Sequence, residues 1–565
     1  FPVPDGDTGT NMCFTLLPVV EECKREVTIN ISETMEIIAD KALESARGNS
    51  GTIIAQFLHG MRKTTSKKNA LNIKDVSEAF NQGFASSKES LLKPEEGTII
   101  TVMRDVATKS AEIIKNEDLI YFEDFLDQCY HHSIISLEKT KTTLKILRKS
   151  DVVDAGALGF VLIIQGWLNS FQQDTKIQSH HLNISYEHSK IEALKKDIDF
   201  TINNKFCTEC SIVGSNINRL ELKEMIKNIG DSMVVAGTNN RVKIHIHTNT
   251  PAKLYKICSV YGKVVDRKVD DMTKQEHTVH HTGSSGISIV VDSGADIPKD
   301  YANDIEVVPV RYSFGNQQHI DKVTQTSKDF YKQMEVDFNH PKTSQPTPGD
   351  FLKIYNFISS HYDSIISIHL SKKISGTYQS GINAAKKIKV KNIEIVDSYS
   401  ASVGSGLLAM YAVDLRRDGK SFNQIISMVK EKRDKTHIFL VLDDLKYIVK
   451  GGRLPSKIKT IADLFRLRPV IGTKNKGQLK ARGVLWGRSN MESKFADFLD
   501  SKINKDINYR IMIAHANSFK KGNRLLELLL NKHSNIKEHY LVELGGALGA
   551  HSGPQALSIG IQEIN

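Results

Sequence analysis

The sequence predicts a multidomain protein with an all-α front, a small α+β middle and an α/β rear. Three observations carry this. At 565 residues the chain is too long for one hydrophobic core. The spacing of its apolar residues changes character twice along the chain. A polar stretch rich in glycine and histidine, QEHTVHHTGSSG at 275–286, interrupts it before the last change. The expected boundaries are 1–180, 181–275, a linker at 276–286, and 287–565.

The front is helical by periodicity. Over 34–61, Met35, Ile38, Ala42, Ile53, Ile54, Phe57 and Leu58 recur at helical spacing, broken by the turn Arg47-Gly48-Asn49-Ser50-Gly51. Amphipathic stretches follow at 76–92, 99–114 and 126–147, with small-residue loops at Glu96-Gly97-Thr98 and Asp154-Ala155-Gly156-Ala157. A helical bundle with glycine loops at helix ends fits this pattern. In the middle, 211–213, 233–236 and 242–248 read as strands, and 220–229 and 252–261 as helices. The linker histidines His277, His280 and His281 read as solvated rather than metal-binding. From Ile287 onward, short apolar runs at 287–291, 365–369, 393–396, 438–442, 509–514 and 539–542 alternate with helical patterns, the rhythm of parallel sheets with crossover helices.

Composition narrows the function classes. Hydrophobic content of 40% and charged content of 25% fit a folded chain rather than a disordered one. No run approaches the roughly 20 apolar residues of a membrane span, and there is no signal-peptide pattern. Six cysteines without such a signal point to a reducing, cytoplasmic setting. The chain opens on Phe1 inside a motif, so further residues are expected upstream. The net charge of +11 is spread along the chain without an aromatic-interleaved basic stripe, so no nucleic-acid partner is expected.

Three constellations carry chemistry. The first is Pro2-Val3-Pro4-Asp5-Gly6-Asp7-Thr8-Gly9-Thr10-Asn11-Met12. Carboxylates at i and i+2 can converge on one hard cation, and the glycines let backbone N–H groups approach a phosphate. A calcium loop would need glutamate where Leu16 stands, and no Walker A sequence exists. The second is Cys207-Thr208-Glu209-Cys210 with His245-Ile246-His247. In a strand both imidazoles share a face, and together with a thiolate they are zinc ligand types. Two buried thiols and two hydrogen-bonded histidines remain the alternative. The third lies in the rear: Asp292-Ser293-Gly294-Ala295-Asp296, Thr343-Ser344-Gln345-Pro346, SKKISGTYQS at 371–380, Gly451-Gly452-Arg453 and His551-Ser552-Gly553-Pro554. Small hydroxyl residues beside glycines at strand ends suit an anionic head group. Asp397-Ser398 reads as a turn. Gly404-Ser405-Gly406 lacks the frame of a hydrolase nucleophile elbow.

The string from Phe1 to Met12 resembles the metal loop of the dihydroxyacetone-kinase nucleotide-binding domain, in the version found in bacterial fatty acid kinases. The segments Ala46-Arg47-Gly48-Asn49-Ser50-Gly51, Glu96-Gly97-Thr98-Ile99-Ile100-Thr101 and Val153-Asp154-Ala155-Gly156 match that family's further loops in order. The resemblance implies a helical barrel using ATP and Mg²⁺, with Asp5 and Asp7 as metal ligands. Thr8, Gly9, Asn11, Met12, Asn49, Ser50, Gly51, Asp154 and Gly156 would line the nucleotide, with Ala157 where a further glycine is expected. The middle resembles the fatty acid kinase middle domain and implies Cys207, His245 and His247 as Zn²⁺ ligands. Cys210 is either a fourth ligand or a bystander. The rear resembles the DegV family of fatty-acid-binding proteins and implies a two-lobed fold around a buried acyl chain. Thr343, Ser375 and His551 would hold the carboxylate, with Ser344, Gly376 and Thr377 also in the fatty-acid site, and Arg453 would join Asp5 and Asp7 in the catalytic set. Gln555 and Ser558 stand where glycines are expected.

The expected reaction is fatty acid plus ATP giving acyl phosphate plus ADP. A carboxylate of pKa near 4 is already ionised at pH 7, so alignment and cation charge matter more than a strong base. Two rivals stay open: a kinase for a small hydroxylated metabolite, and a lipid-binding regulator with an inactive kinase domain. A downstream acyltransferase, peripheral membrane contact and a homodimer are the expected partners.

Overall fold

The computed structural model describes residues 8–26, 28–116, 121–144, 147–148, 152–171, 203–274, 286–359, 361–388, 390–453, 456–464, 467–487 and 489–564. Asp5, Asp7 and the linker histidines lie outside these. The chain forms two compact units, Phe1–His280 and His281–Asn565.

In the first unit seven helices span the described front residues: α1 (Thr8–Arg25), α2 (Ile31–Ser45), α3 (Gly48–Thr65), α4 (Ile73–Ser90), α5 (Ile99–Asn116), α6 (Phe122–Thr143) and α7 (Ala155–Phe171). Their starts are written in the sequence. Asn30 accepts from the backbone N–H groups of Ser32 and Glu33, and Asn72 with Asp75 forms a reciprocal capping box. Each helix packs on the next, and α7 also packs on α1, which closes a ring. Phe57, Phe80, Phe125 and Phe160 fill its centre, all 2% exposed or less. Phe57 meets Phe160 edge-on at 5.0 Å.

The middle segment is a four-stranded antiparallel sheet in the order β2-β3-β1-β4, from β1 (Phe206–Val213), β2 (Asp231–Gly237), β3 (Arg241–Thr248) and β4 (Lys263–Asp271). Helices α8 (Arg219–Ile226) and α9 (Pro251–Tyr261) supply Leu222, Leu254 and Cys258 to a small core with Cys210, Ile212, Ile244 and Ile246. The sheet also packs on the helical ring. Val234 and Ala236 belong to the helical core, and the Gly237 N–H donates to Gln56 Oε1 at 3.0 Å. Strand β4 is not expected from its sequence, KVVDRKVDD. It pairs only with β1, and the sheet edge tolerates its charges.

The second unit holds three sheets. A parallel one runs β11 (Asn392–Asp397), β10 (Ser364–His369), β5 (Ile287–Asp292), β6 (Ile305–Val308). An antiparallel one runs β8 (Gln317–Ile320), β7 (Arg311–Phe314), β9 (Lys342–Ser344). The third runs β14 (Gln478–Trp486), β13 (Leu467–Lys474), β12 (Thr436–Val441), β17 (Leu557–Ile564), β15 (Asn508–His515), β16 (Ile536–Glu543). The expectation of parallel sheets holds only for the first. In the third only β15 and β16 are parallel, because β13–β14 is a hairpin and the last strand returns antiparallel between β12 and β15. Helix Val403–Arg417 joins the parallel and the mixed sheet, touching strands of both. Its Gly406 lies against the Asp296 backbone, where a Cβ has no room. Ser405, at 0% exposure, is bonded to Ser398. Asp397 accepts from the Tyr399 N–H in a turn, as read from the sequence. No helix among the described residues is long and apolar enough to cross a membrane.

Candidate functional site

Three places gather functional side chains. In the helical ring, consecutive helices joined by short connections alternate in direction, so the odd-numbered ones start at the same end. The contacts agree. A Cβ placed on Gly48 would come within 2.6 Å of Asn11 Nδ2, and one on Gly156 within 3.0 Å of Ser50 Oγ and 3.5 Å of Ile99 Cβ. The amino termini of α1, α3, α5 and α7 therefore meet. Each brings first-turn N–H groups and the positive end of its dipole, an arrangement suited to an anion, with the Gly48 and Ala157 N–H groups already taken by Glu209 and Asp154. Asn11 and Met12 are buried on α1, and Thr8 and Gly9 open it. Asn49 and Ser50 are half-buried in the first turn of α3, and Asn49 Oδ1 has no partner among the described residues. Gly51 abuts Thr15. Asp154 is buried and accepts from the Ala157 N–H at 2.8 Å, capping α7.

In the middle sheet, β1 and β3 pair so that Cys207 faces His247 and Glu209 faces His245. Alternation along each strand sends these four side chains to one face. Ligand atoms of Cys207, His245 and His247 lie within 4.8 Å of one another. Cys207 Sγ is 4.0 Å from His245 Nε2, and the two imidazole centroids are 5.3 Å apart. Both histidines are buried. Burial holds His245 below its usual pKa despite the opposing pull of Glu209, which favours the neutral, ligating imidazole. One thiol and two imidazoles fit a zinc-type ion. Cys210 points to the opposite face, with its Sγ 3.9 Å from Cys258 Sγ in the small core. It is the bystander of the two alternatives.

In the second unit a cavity of about 430 Å³ collects residues from segments more than 200 positions apart. Thr343, Ser344, Ser375, Gly376, Thr377, Arg453 and His551 all line it. The remaining wall is mostly apolar, with Leu370, Ile438, Leu440, Ile471, Leu479 and Leu548 among its members. His551 Nε2 is 3.0 Å from Thr343 Oγ1, and Ser375 Oγ is 2.8 Å from Thr377 Oγ1 at the start of helix Thr377–Ala385. Burial, with Arg453 and His340 adding repulsion, lowers the His551 pKa to about 4. The imidazole is thus neutral at pH 7. Arg453 is exposed at the mouth, donating to the Gly451 carbonyl at 2.6 Å. This arrangement can bury a chain-like apolar body while hydrogen-bonding an acidic head.

Family models match three consecutive segments: the DAK2 domain over residues 2–169, the FakA-like middle domain of fatty acid kinase over 203–279, and the DegV family of uncharacterised proteins over 286–563. The chain joins a DAK2 domain, a FakA-like middle domain and a DegV domain. Uncharacterized proteins of Staphylococcus saprophyticus and Staphylococcus aureus strain USA300 are 32% identical over 303 and 291 residues. These alignments take in 51% and 49% of this chain and 53% and 52% of the relatives. The chain thus spans about half the length of the curated relatives it matches. Among solved structures, DegV of Bacillus subtilis, a fatty acid binding protein, is 28% identical, covering 50% of this chain and all of its own at a TM-score of 0.46. A fatty-acid-binding DegV family protein of Thermus thermophilus is 24% identical, covering 49% of this chain and 99% of its own, also at 0.46.

In the DegV domain, Gln555 has a φ of +64°, the left-handed conformation that glycine adopts without strain, and Ser558 lines the cavity. Sequence reading passes over two participants. Gln345 lines the cavity beside Gly376, although it sits inside a quoted motif. Glu209 shares the face of the middle-domain cluster, which strand alternation from Cys207 would have shown.

Proposed function

We propose that this chain is a fatty acid kinase that holds its own acyl substrate, transferring the γ-phosphoryl group of ATP to a fatty carboxylate. The observation carrying this reading is the DegV cavity, with a hydroxyl–imidazole head and an apolar body, in one chain with a DAK2 domain and a FakA-like middle domain. A small hydroxylated metabolite would have no use for that apolar wall.

The residues divide the work. Ser375 and Thr343, the latter held by neutral His551, would donate hydrogen bonds to the carboxylate and fix where it points, while the apolar wall supplies most of the affinity. Arg453 at the mouth would balance the head-group charge. Gly48–Gly51 and Asp154–Gly156 would receive the phosphates at the joined helix starts, with Thr8, Gly9, Asn11 and Met12 beside them. Asp5 and Asp7 would hold Mg²⁺, which when bound neutralises charge on the triphosphate. One carboxylate oxygen forms the new bond to γ-phosphorus. The bond to the β–γ bridging oxygen breaks, and its electron pair leaves on ADP. No proton need move, because the acceptor is already an anion at pH 7. Cys207, His245 and His247 would hold Zn²⁺. The test is hydroxylamine trapping of acyl phosphate from the full chain with fatty acid, ATP and Mg²⁺. A hydroxamate product appearing with ADP supports the reading, and ADP formation without it, or neither, rejects it.

A further inference from the structure

The middle-domain cluster and the helix that opens the nucleotide site share one buried carboxylate. Glu209 is 1% exposed on β1. Its Oε1 accepts from the Gly48 backbone N–H at 2.8 Å and lies 3.2 Å from His245 Nδ1 and 3.3 Å from Lys268 Nζ, while Oε2 is 3.6 Å from Lys243 Nζ. Gly48 is the first residue of α3, and Arg47 before it provides no side-chain cap. The cap comes instead from a residue 161 positions away in another segment. Gly48 is itself held at a φ of +60°, with Asn11 against the space where a Cβ would sit.

Burying a carboxylate is costly, and an apolar side chain would fill the same volume more cheaply. What the carboxylate adds is a connection. A carboxylate on Nδ1 sets the ring orientation and leaves Nε2 for a metal, the usual outer-shell arrangement. The same oxygen holds the amide that begins the phosphate-facing turn. Any reorientation of the His245 ring therefore moves the partner of Gly48.

We propose that Glu209 is a positioning residue that couples the Cys207–His245–His247 cluster to the first turn of α3, so that metal in the cluster sets the geometry in which Gly48–Gly51 receive the nucleotide phosphates. This rests on the nucleotide reading given above and adds a regulatory link to it. Glu209 touches neither phosphate nor metal and acts through Gly48 and His245.

The test measures binding of a non-hydrolysable ATP analogue to the full chain by calorimetry, in excess Mg²⁺. Zinc-loaded protein is compared with protein stripped by a chelator selective for transition metals, with metal content checked by elemental analysis. Stripping should weaken analogue binding by roughly tenfold, ~1.4 kcal/mol, and zinc should restore it. In Glu209→Gln the analogue should bind weakly from the start and respond little to zinc. Equal affinity in loaded and stripped wild-type protein overturns the coupling, and that arm requires no variant to fold. A Glu209→Gln chain that still responds to zinc as the wild type does would assign the coupling elsewhere and overturn the role of Glu209. If the loaded wild type binds no analogue, the nucleotide reading itself fails, a result distinct from the other two.

Discussion

The joined helix starts of the DAK2 domain and the cavity of the DegV domain would both receive an anion under the proposed reading, yet they are made of different material. The first is built from backbone: four helix starts and glycines that allow close approach, with Gly51 against Thr15 and Gly156 against Ser50. The second is built from side chains drawn from β9, the start of helix Thr377–Ala385, the Gly451–Arg453 turn and helix Gly546–Ser552. A backbone site is broken by adding atoms, and a side-chain site by removing them. The contrast therefore predicts opposite sensitivities.

The largest effect should come from the backbone site. Gly51→Val puts a branched side chain where even a Cβ collides with Thr15 Oγ1, and it should push α3 off α1. Phosphoryl transfer should fall by at least a hundredfold, ~3 kcal/mol or more, with fatty acid still co-purifying with the chain. Asp7→Ala should match it in activity. A Gly51→Val chain that turns over normally would break the claim that helix starts form the phosphate site.

Next is the middle-domain cluster, which is a side-chain site within the first unit. Cys207→Ala removes one of three ligands, so zinc measured by elemental analysis should drop from about one per chain to near zero. Cys210→Ala should leave it unchanged, because that thiol faces Cys258 in the small core. If the two variants lose metal equally, the assignment of faces on β1 is wrong.

In the DegV cavity, Ser375→Ala deletes one head-group donor and leaves the apolar wall intact. Turnover should fall about tenfold through misorientation, while fatty acid retention measured by solvent extraction changes less than twofold. Equal losses in both would mean the hydroxyl supplies affinity rather than direction, and the contrast between head and wall would dissolve.

The same contrast explains what is legible in the sequence. Backbone sites require glycine at fixed places, so Gly48, Gly51 and Gly156 stand out beside Asn and Ser in the sequence alone. The DegV head group is legible only because its hydroxyls also sit beside glycines. Its apolar wall is not, since Leu370, Ile438, Ile471 and Leu479 look like any core residue until the chain folds. Strand alternation from Cys207 puts Glu209 on the cluster's face, but its bond to Gly48 is hidden, because that partner is far away in sequence. The mixed third sheet escapes notice for a related reason. Apolar runs mark strands without direction, and only the hairpin Leu467–Trp486 and the returning strand Leu557–Ile564 decide how β12 and β15 are paired.

The smallest effect is the pH dependence of the DegV cavity, and its sign follows from His551. An exposed histidine in the unfolded chain titrates near ~6.5, whereas burial, then Arg453 and His340, lower the folded value to about 4. The unfolded chain thus binds more protons between these two values, so stability rises with pH across that window. The contribution is complete above the unfolded pKa and is lost as pH falls through 6.5 toward 4. By pH 5.5 one pKa unit of the difference has been crossed, which costs about 1.4 kcal/mol and lowers the melting temperature by a few degrees. A bound carboxylate beside the ring favours its protonated form and should reduce that loss. Lipid-extracted protein should therefore lose more thermal stability between pH 7.5 and 5.5 than lipid-loaded protein, and His551→Asn should narrow the gap. If the extracted wild type and His551→Asn decline in parallel, another group carries the acid sensitivity, and the neutral imidazole has no part in receiving the head group.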